Sequence, residues 1–193
     1  MTGPPTSAAV DQGFAVFDTA IGACAIVWST AVVVGFSLPD TASAGSEDRL
    51  RAWRDRRFPG AIEAEPVGRI GGVTQRVRAM LDGAPDDFRD VALDLSACPE
   101  FARRVYGVAR TIAPGQTLTY GEVTARLGEP PEAARAVGQA LGRNPIPLIV
   151  PCHRVTAASG RTGGFSAPGG VRTKLKLLEI EARHAVGVLP LFG

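Results

Sequence analysis

Pro151-Cys152-His153-Arg154-Val155 holds the side chains best suited to covalent chemistry in this 193-residue chain. A thiol is nucleophilic only as its thiolate, and an unperturbed cysteine ionises near pH ~8.5. It therefore needs a neighbouring base or cation, and His153 is adjacent. In an extended strand the two side chains would point to opposite faces, so cooperation requires the backbone to turn here. A structural Cys-His pair remains open at this level, as does a metal ligand set. Against the metal, the one other histidine is His184 and no Cys-x-x-Cys occurs. No metal and no cofactor are expected. Cys24, Cys98 and Cys152 are odd in number and widely spaced, which argues against a disulfide framework and for a reducing compartment.

Upstream lies a segment of very low bulk. Ala133, Ala134, Ala136, Gly138, Ala140 and Gly142 alternate with Arg135, Gln139 and Arg143. Small residues let a helix backbone approach another surface closely, and arginine supplies phosphate contacts or a wedge into a base stack. Tight packing of that helix against its own domain, with Arg135 solvated, is the competing reading.

The elements that must position these groups can be read from periodicity. Residues 1–12 read as a loose leader. Residues 14–34 read as two or three apolar strands broken at Gly22 and near Ser29, and residues 35–46 as a loop. Residues 47–57 and 73–81 are expected to be helical. Alternation across 91–95 predicts a strand, and a domain boundary is placed there, giving an N-terminal domain of 1–94 and a C-terminal domain of 95–193. In the second half, 99–113 is an amphipathic helix stopped by Pro114-Gly115. Residues 120–127 and 132–143 form two short helices across a Gly/Pro turn, the helix-turn-helix spacing. Residues 144–151 are an apolar run hemmed by prolines, and 171–185 a final helix. The fold class is thus a small α/β N-terminal domain (sheet plus helix) followed by a mostly helical, winged-helix-like C-terminal domain.

Apolar residues make up 45% of the chain, enough to bury a core. The longest apolar stretch, 21–34, is too short and too mixed to span a membrane, and nothing reads as a secretory signal. A soluble intracellular monomer is expected, cytoplasmic or, in a eukaryote, nuclear. The net charge of +2 conceals an asymmetry. Residues 1–100 carry 9 basic and 14 acidic side chains, and residues 101–193 carry 12 and 5, so the second half is suited to a polyanion.

Over residues 101–181 the chain resembles the O6-alkylguanine-DNA alkyltransferases, also called methylated-DNA–protein-cysteine methyltransferases. The resemblance rests on an ordered set: Thr119-Tyr120-Gly121, Arg135-Ala136-Val137-Gly138, Asn144-Pro145, Pro151-Cys152-His153-Arg154-Val155, Gly169-Gly170, Lys174, Leu177-Leu178 and Glu181. It implies direct reversal of DNA damage, in which an O6-alkylguanine is flipped from duplex DNA and its alkyl group passes irreversibly to Cys152. His153 would act as base through a water, with Glu181 orienting the imidazole, and Asn144 would be the hinge joining the recognition helix to the active-site loop. Tyr120 would crowd the phosphate, and Arg135 would fill the vacated stack. Ala134, Gly138 and Arg143 would meet the DNA. Val155, Phe165 and Ser166 would line the base pocket, with the Ser166 N–H available to the guanine O6.

Two departures from that pattern stand out. Phe165 replaces the usual tyrosine, and Ala167-Pro168 are an extra pair before Gly169-Gly170. Some relatives carry an N-terminal zinc site; this chain has no histidine before His153, so none is expected. Two other readings remain: a related DNA-binding lesion sensor without chemistry, and a thiol hydrolase unrelated to DNA.

Overall fold

The computed structural model describes residues 12–40, 47–158 and 162–186; most of the expected leader lies outside them. Three strands, β1 (Gln12–Phe17), β2 (Cys24–Ser29) and β3 (Val32–Ser37), form an antiparallel meander. β4 (Ala61–Glu63) joins the open side of β1 in parallel, giving the order β3-β2-β1-β4. Alternation sorts the side chains by face. Ala15, Phe17, Cys24 and Ile26 enter the main core, whereas Phe14, Ala25 and Val27 meet Leu50 on the other side. Leu50 belongs to α1 (Glu47–Arg57), which also packs Trp53 there. Gly35 is required by close approach: a Cβ would lie 2.4 Å from the Phe58 ring.

Helix α2 (Gly68–Asp82) buries Ile70, Val73, Val77, Met80 and Leu81 on one stripe and ends at Gly83, whose φ of 119° is left-handed. It starts five residues before the expected 73–81. The segment after it is held by side chains: Arg76 grips Asp86 and Asp90 at 2.7–2.8 Å, and Arg110 donates to the carbonyls of Phe88, Arg89 and Val91 at 2.9 Å.

The strand expected at 91–95 is not formed. One bridge joins Leu93 to Val33, carried by Val33 N–H to Ala92 O (3.0 Å) and Asp94 N–H to Val33 O (2.9 Å). The alternation is real, but Asp94 folds its carboxylate back onto the Ser96 N–H at 2.8 Å, turning the chain away. Further along the same β3 edge, the Phe36 N–H donates to Pro145 O at 3.0 Å. The sheet therefore grips the loop that leads to Cys152.

The second half is helical. α3 (Glu100–Ala109) buries Ala102, Val105, Tyr106 and Ala109 and stops four residues short of the expected 113. β5 (Leu118–Thr119) pairs in parallel with β6 (Val155–Thr156). α4 (Tyr120–Arg126) opens on a reciprocal cap in which Thr119 and Glu122 each bond the other's backbone N–H. That arrangement satisfies two donors that a helix start leaves free. Gly128 (φ 72°) and Pro130-Pro131 turn the chain into a single 3-10 turn, Pro131–Ala133, and then α5 (Ala134–Gly142). The expected 132–143 helix is thus divided. The buried Tyr106 hydroxyl donates to Ala140 O at 2.9 Å and fixes α5 on α3. α6 (Val171–Val186) closes the layer behind the Cys152 turn. Among the described residues no helix is long and apolar enough to cross a membrane.

Candidate active site

The apolar run before Cys152 is buried from Ile146 to Pro151, and such a buried loop must satisfy its own backbone. Asn144 does much of this. Its Oδ1 accepts the Ile146 N–H at 3.0 Å, and its Nδ2 donates to Val150 O at 2.9 Å. The same Nδ2 lies 3.2 Å from Cys152 Sγ. Leu148 is held in the left-handed region (φ 76°) at 1% exposure. For a non-glycine residue that costs about 1–3 kcal/mol and persists only where surrounding contacts overdetermine it.

Cys152–Arg154 then form a 3-10 turn. Successive side chains in such a turn are ~120° apart rather than on opposite faces. The turn that cooperation between Cys152 and His153 requires is therefore present.

His153 and Arg154 are buried at 0% and 1% exposure and converge on Glu181 at 3%. His153 Nε2 lies 2.9 Å from Glu181 Oε1, and Arg154 reaches both carboxylate oxygens at 2.8–3.2 Å. The Gly115 N–H donates to Oε2 at 3.0 Å, while Arg154 Nη1 donates to Ile112 O at 2.6 Å. Although burial opposes ionisation, the His153 and Arg154 bonds pull the Glu181 pKa down to about 2. The ionised carboxylate requires the proton of neutral His153 on Nε2. Nδ1 is left as the acceptor, buried and without a protein partner among the described residues. Burial lowers the His153 pKa against the pull of Glu181, so the ring is neutral at neutral pH and its Nδ1 lone pair is available.

Cys152 is 7% exposed. Burial pushes its thiol up, while the Asn144 N–H and the charge of Lys174 draw it down. Lys174 is itself fully buried and donates to Val155 O at 2.6 Å.

Cys152 lines two openings. One is a cavity of about 620 Å³ that gathers Tyr120, Ala134, Arg135, Gly138, Phe165 and Ser166 around Cys152. Packing within the chain does not require the glycines of α5: a Cβ on Gly138 would make an ordinary 3.6 Å contact with the Tyr120 ring and one on Gly142 would meet open space, whereas one on Gly163, outside α5, would lie 2.9 Å from the Tyr120 hydroxyl. Arg135 is exposed at the rim. The other is a cleft of about 1210 Å³ between α1 and α5, reaching Asn144, Arg143 and Cys152.

Arg143, expected to meet the DNA, lines the second opening. One expected pocket residue lies elsewhere. Val155 is not on the wall of the first cavity; it is fully buried behind the thiol in β6, where it packs in the core and its carbonyl receives Lys174. Arg154 and Lys174 were visible in the motifs without a role, and the structure gives both one. Neither spacing nor composition signals that an arginine next to a histidine turns inward; only a buried carboxylate 27 residues later makes that affordable. Among the described residues no group of three or more His, Cys, Asp or Glu is placed to hold a metal ion.

Comparison with known proteins places this geometry in a class of DNA-repair transferases. The family model described as "6-O-methylguanine DNA methyltransferase, DNA binding domain" matches residues 100–183. The methylated-DNA–protein-cysteine methyltransferase of Methanothermobacter thermautotrophicus is 44% identical over 119 residues, 62% of this chain and 65% of that protein. The protein of the same name from Mycobacterium tuberculosis is 44% identical over 125 residues, 65% of this chain and 73% of that one. The crystal structure of Mycobacterium tuberculosis OGT in complex with DNA superposes with a TM-score of 0.71 at 32% identity, covering 89% of this chain and 93% of that one. The O6-methylguanine-DNA methyltransferase of Pyrococcus kodakaraensis KOD1 gives 0.65 at 26%, covering 87% and 98%. The chain belongs to the methylated-DNA–protein-cysteine methyltransferase family.

Proposed function

We propose that this chain repairs DNA directly by moving the alkyl group of an O6-alkylguanine onto Cys152, once per molecule. The observation that carries this is Cys152 on the wall of a cavity of about 620 Å³ beside α5, roomy enough to admit a nucleobase, with Asn144 on its sulfur and the buried His153–Glu181 pair beginning at the next residue of the chain. A base inside a duplex cannot reach a buried thiol, so the nucleotide must rotate out of the stack. Arg135, exposed at the rim, fills the gap, and the small-residue face of α5 lies against the minor groove. Tyr120 stands at the mouth of the cavity to press on the backbone as it turns.

Burial keeps Cys152 a neutral thiol at rest. Its proton passes to His153 Nδ1 through a bridging water, and the ionised Glu181 stabilises the resulting imidazolium. The thiolate attacks the alkyl carbon in line, forming the S–C bond as the C–O6 bond breaks. Guanine leaves with the electron pair and takes up one proton, matching the one the thiol gave to His153 and which the imidazolium then releases, and its O6 can accept from the Ser166 N–H. The thioether has no hydrolytic exit, so the protein is consumed. Phe165 stacks on the base but offers no hydroxyl to it.

The test is intact mass after incubation with a duplex carrying one O6-methylguanine. A single gain of about 14 Da is expected, with none in Cys152→Ser; one methyl is ~14 Da and nothing further should accumulate. Binding without mass gain would make the chain a lesion sensor, and repeated turnover a hydrolase. Arg135→Ala should slow reaction with the duplex far more than with free O6-benzylguanine; equal losses would remove its role in the stack.

A further inference from the structure

The cleft between α1 and α5 has a charge pattern that repair chemistry at Cys152 does not use. Its walls carry Arg49, Arg56 and Arg57 from α1 and Arg143 from the end of α5, against one lining carboxylate, Asp94, while the charge of Asp40 acts on Arg49. Asp94 is already committed to Ser96. Helix α1 treats its arginines in two ways. Arg51 is paired with Glu47 and Glu63, and Arg54 with Asp55. Arg56 and Arg57, on the last turn, and Arg143 across the cleft have no carboxylate within ion-pair distance among the described residues.

Cations held together without counter-charges raise the local potential and favour an anionic partner. The cleft is also continuous with the base cavity: Gln139, Gly142, Cys152 and Ser166 line both. α5 is thus flanked on one side by the cavity for the base and on the other by a basic shelf contributed by the N-terminal layer.

We infer that Arg56 and Arg57, facing Arg143 across this cleft, form a second phosphate-binding shelf that grips the DNA backbone alongside α5. This rests on the reading of the chain as a DNA-repair protein. It makes the N-terminal layer part of the DNA interface, beyond its role in bracing the active-site loop. A shelf of this kind contributes affinity without sequence or lesion preference, because phosphates carry no base information.

The test is the salt dependence of binding to a short lesion-free duplex, which involves no alkyl transfer. Each phosphate neutralised adds about 0.9 to the slope of log K against log salt concentration. Arg56→Ala/Arg57→Ala should therefore lower that slope by about 1.8. Arg56→Lys/Arg57→Lys should keep it, and Arg51→Ala, on the paired face of the same helix, should leave it unchanged. The thermal unfolding midpoint monitors folding; if the double variant unfolds, each single variant should lower the slope by about 0.9. An unchanged slope in the folded alanine variants, or a wild-type chain that binds no duplex, overturns the shelf. Absence of methyl gain in the mass experiment would instead overturn the repair chemistry, so the two failures are told apart.

Discussion

Two cysteines are buried in this protein, and their surroundings could hardly differ more. Cys24 sits on β2 at 0% exposure, packed between sheet and helices. Burial drives its pKa up to about 12, with only Thr19 and the charge of Arg49 opposing. Cys152 is buried nearly as deeply, but it lines a cavity, takes the Asn144 amide N–H on its sulfur, feels the charge of Lys174, and shares its 3-10 turn with His153. Burial by itself makes a thiol inert. The C-terminal region adds what the sheet lacks: an adjoining cavity of about 620 Å³, an imidazole whose tautomer is set by Glu181, and a carboxylate kept ionised by His153 and Arg154. The sheet contributes a firm edge, through Phe36 and Pro145, that holds the loop in place.

The contrast can be broken most forcefully at His153. His153→Ala should slow alkylation by free O6-benzylguanine by about 10²–10⁴-fold, the range for loss of a positioned base. Thr19→Ala, beside Cys24, should leave that rate alone. Stopped-flow or quenched kinetics would read both, and equal effects would erase the distinction. Glu181→Ala comes next. It strands the buried Arg154 guanidinium and removes the acceptor of His153, and breaking a buried pair this way costs about 3–5 kcal/mol in urea unfolding.

The smallest effect is on acid stability, and it too belongs to the C-terminal site. His153 has its folded pKa lowered below 6.5, so the unfolded chain takes up that proton first and stability falls as pH drops through 6.5. Glu181 titrates near 2 when folded against 4.5 unfolded, so its contribution is present above 4.5 and lost between 4.5 and about 2. Urea midpoints measured from pH 7 to 3 should decline throughout. Glu181→Gln should flatten the portion below 4.5. Cys24, raised from 9.0 to about 12, acts on the opposite limb: its contribution holds below pH 9 and fades as pH rises toward 12.

Much of the helical half could be read in advance because its signals are local. Gly128 and Pro130-Pro131 end one helix, and Pro114-Gly115 follow another. The Pro-Cys-His-Arg-Val run announces its chemistry through residue types alone. The failures were non-local. The 91–95 alternation looked like a strand, yet Leu93 makes a single bridge to Val33 before Asp94 binds the Ser96 N–H and the chain turns away, and further along that edge Phe36 bonds Pro145 instead. Likewise β4, three residues long, exists because β1 has an open side to fill. Arg154 stands in the sequence motif without a role and in three dimensions is the anchor of Glu181. The basic shelf on α1 was hidden for a related reason: the first hundred residues are net acidic, and only folding separates the paired arginines from the unpaired ones.

The most direct measurement is a site-resolved map of adducts after exposing the intact protein to free O6-benzylguanine. Peptide mass spectrometry should find the benzyl group on Cys152 alone, at up to one equivalent, with Cys24 and Cys98 unmodified. Comparable labelling of Cys24 or Cys98, or no labelling of Cys152, would contradict the claim that its cavity and polar neighbours make this buried thiol the nucleophile.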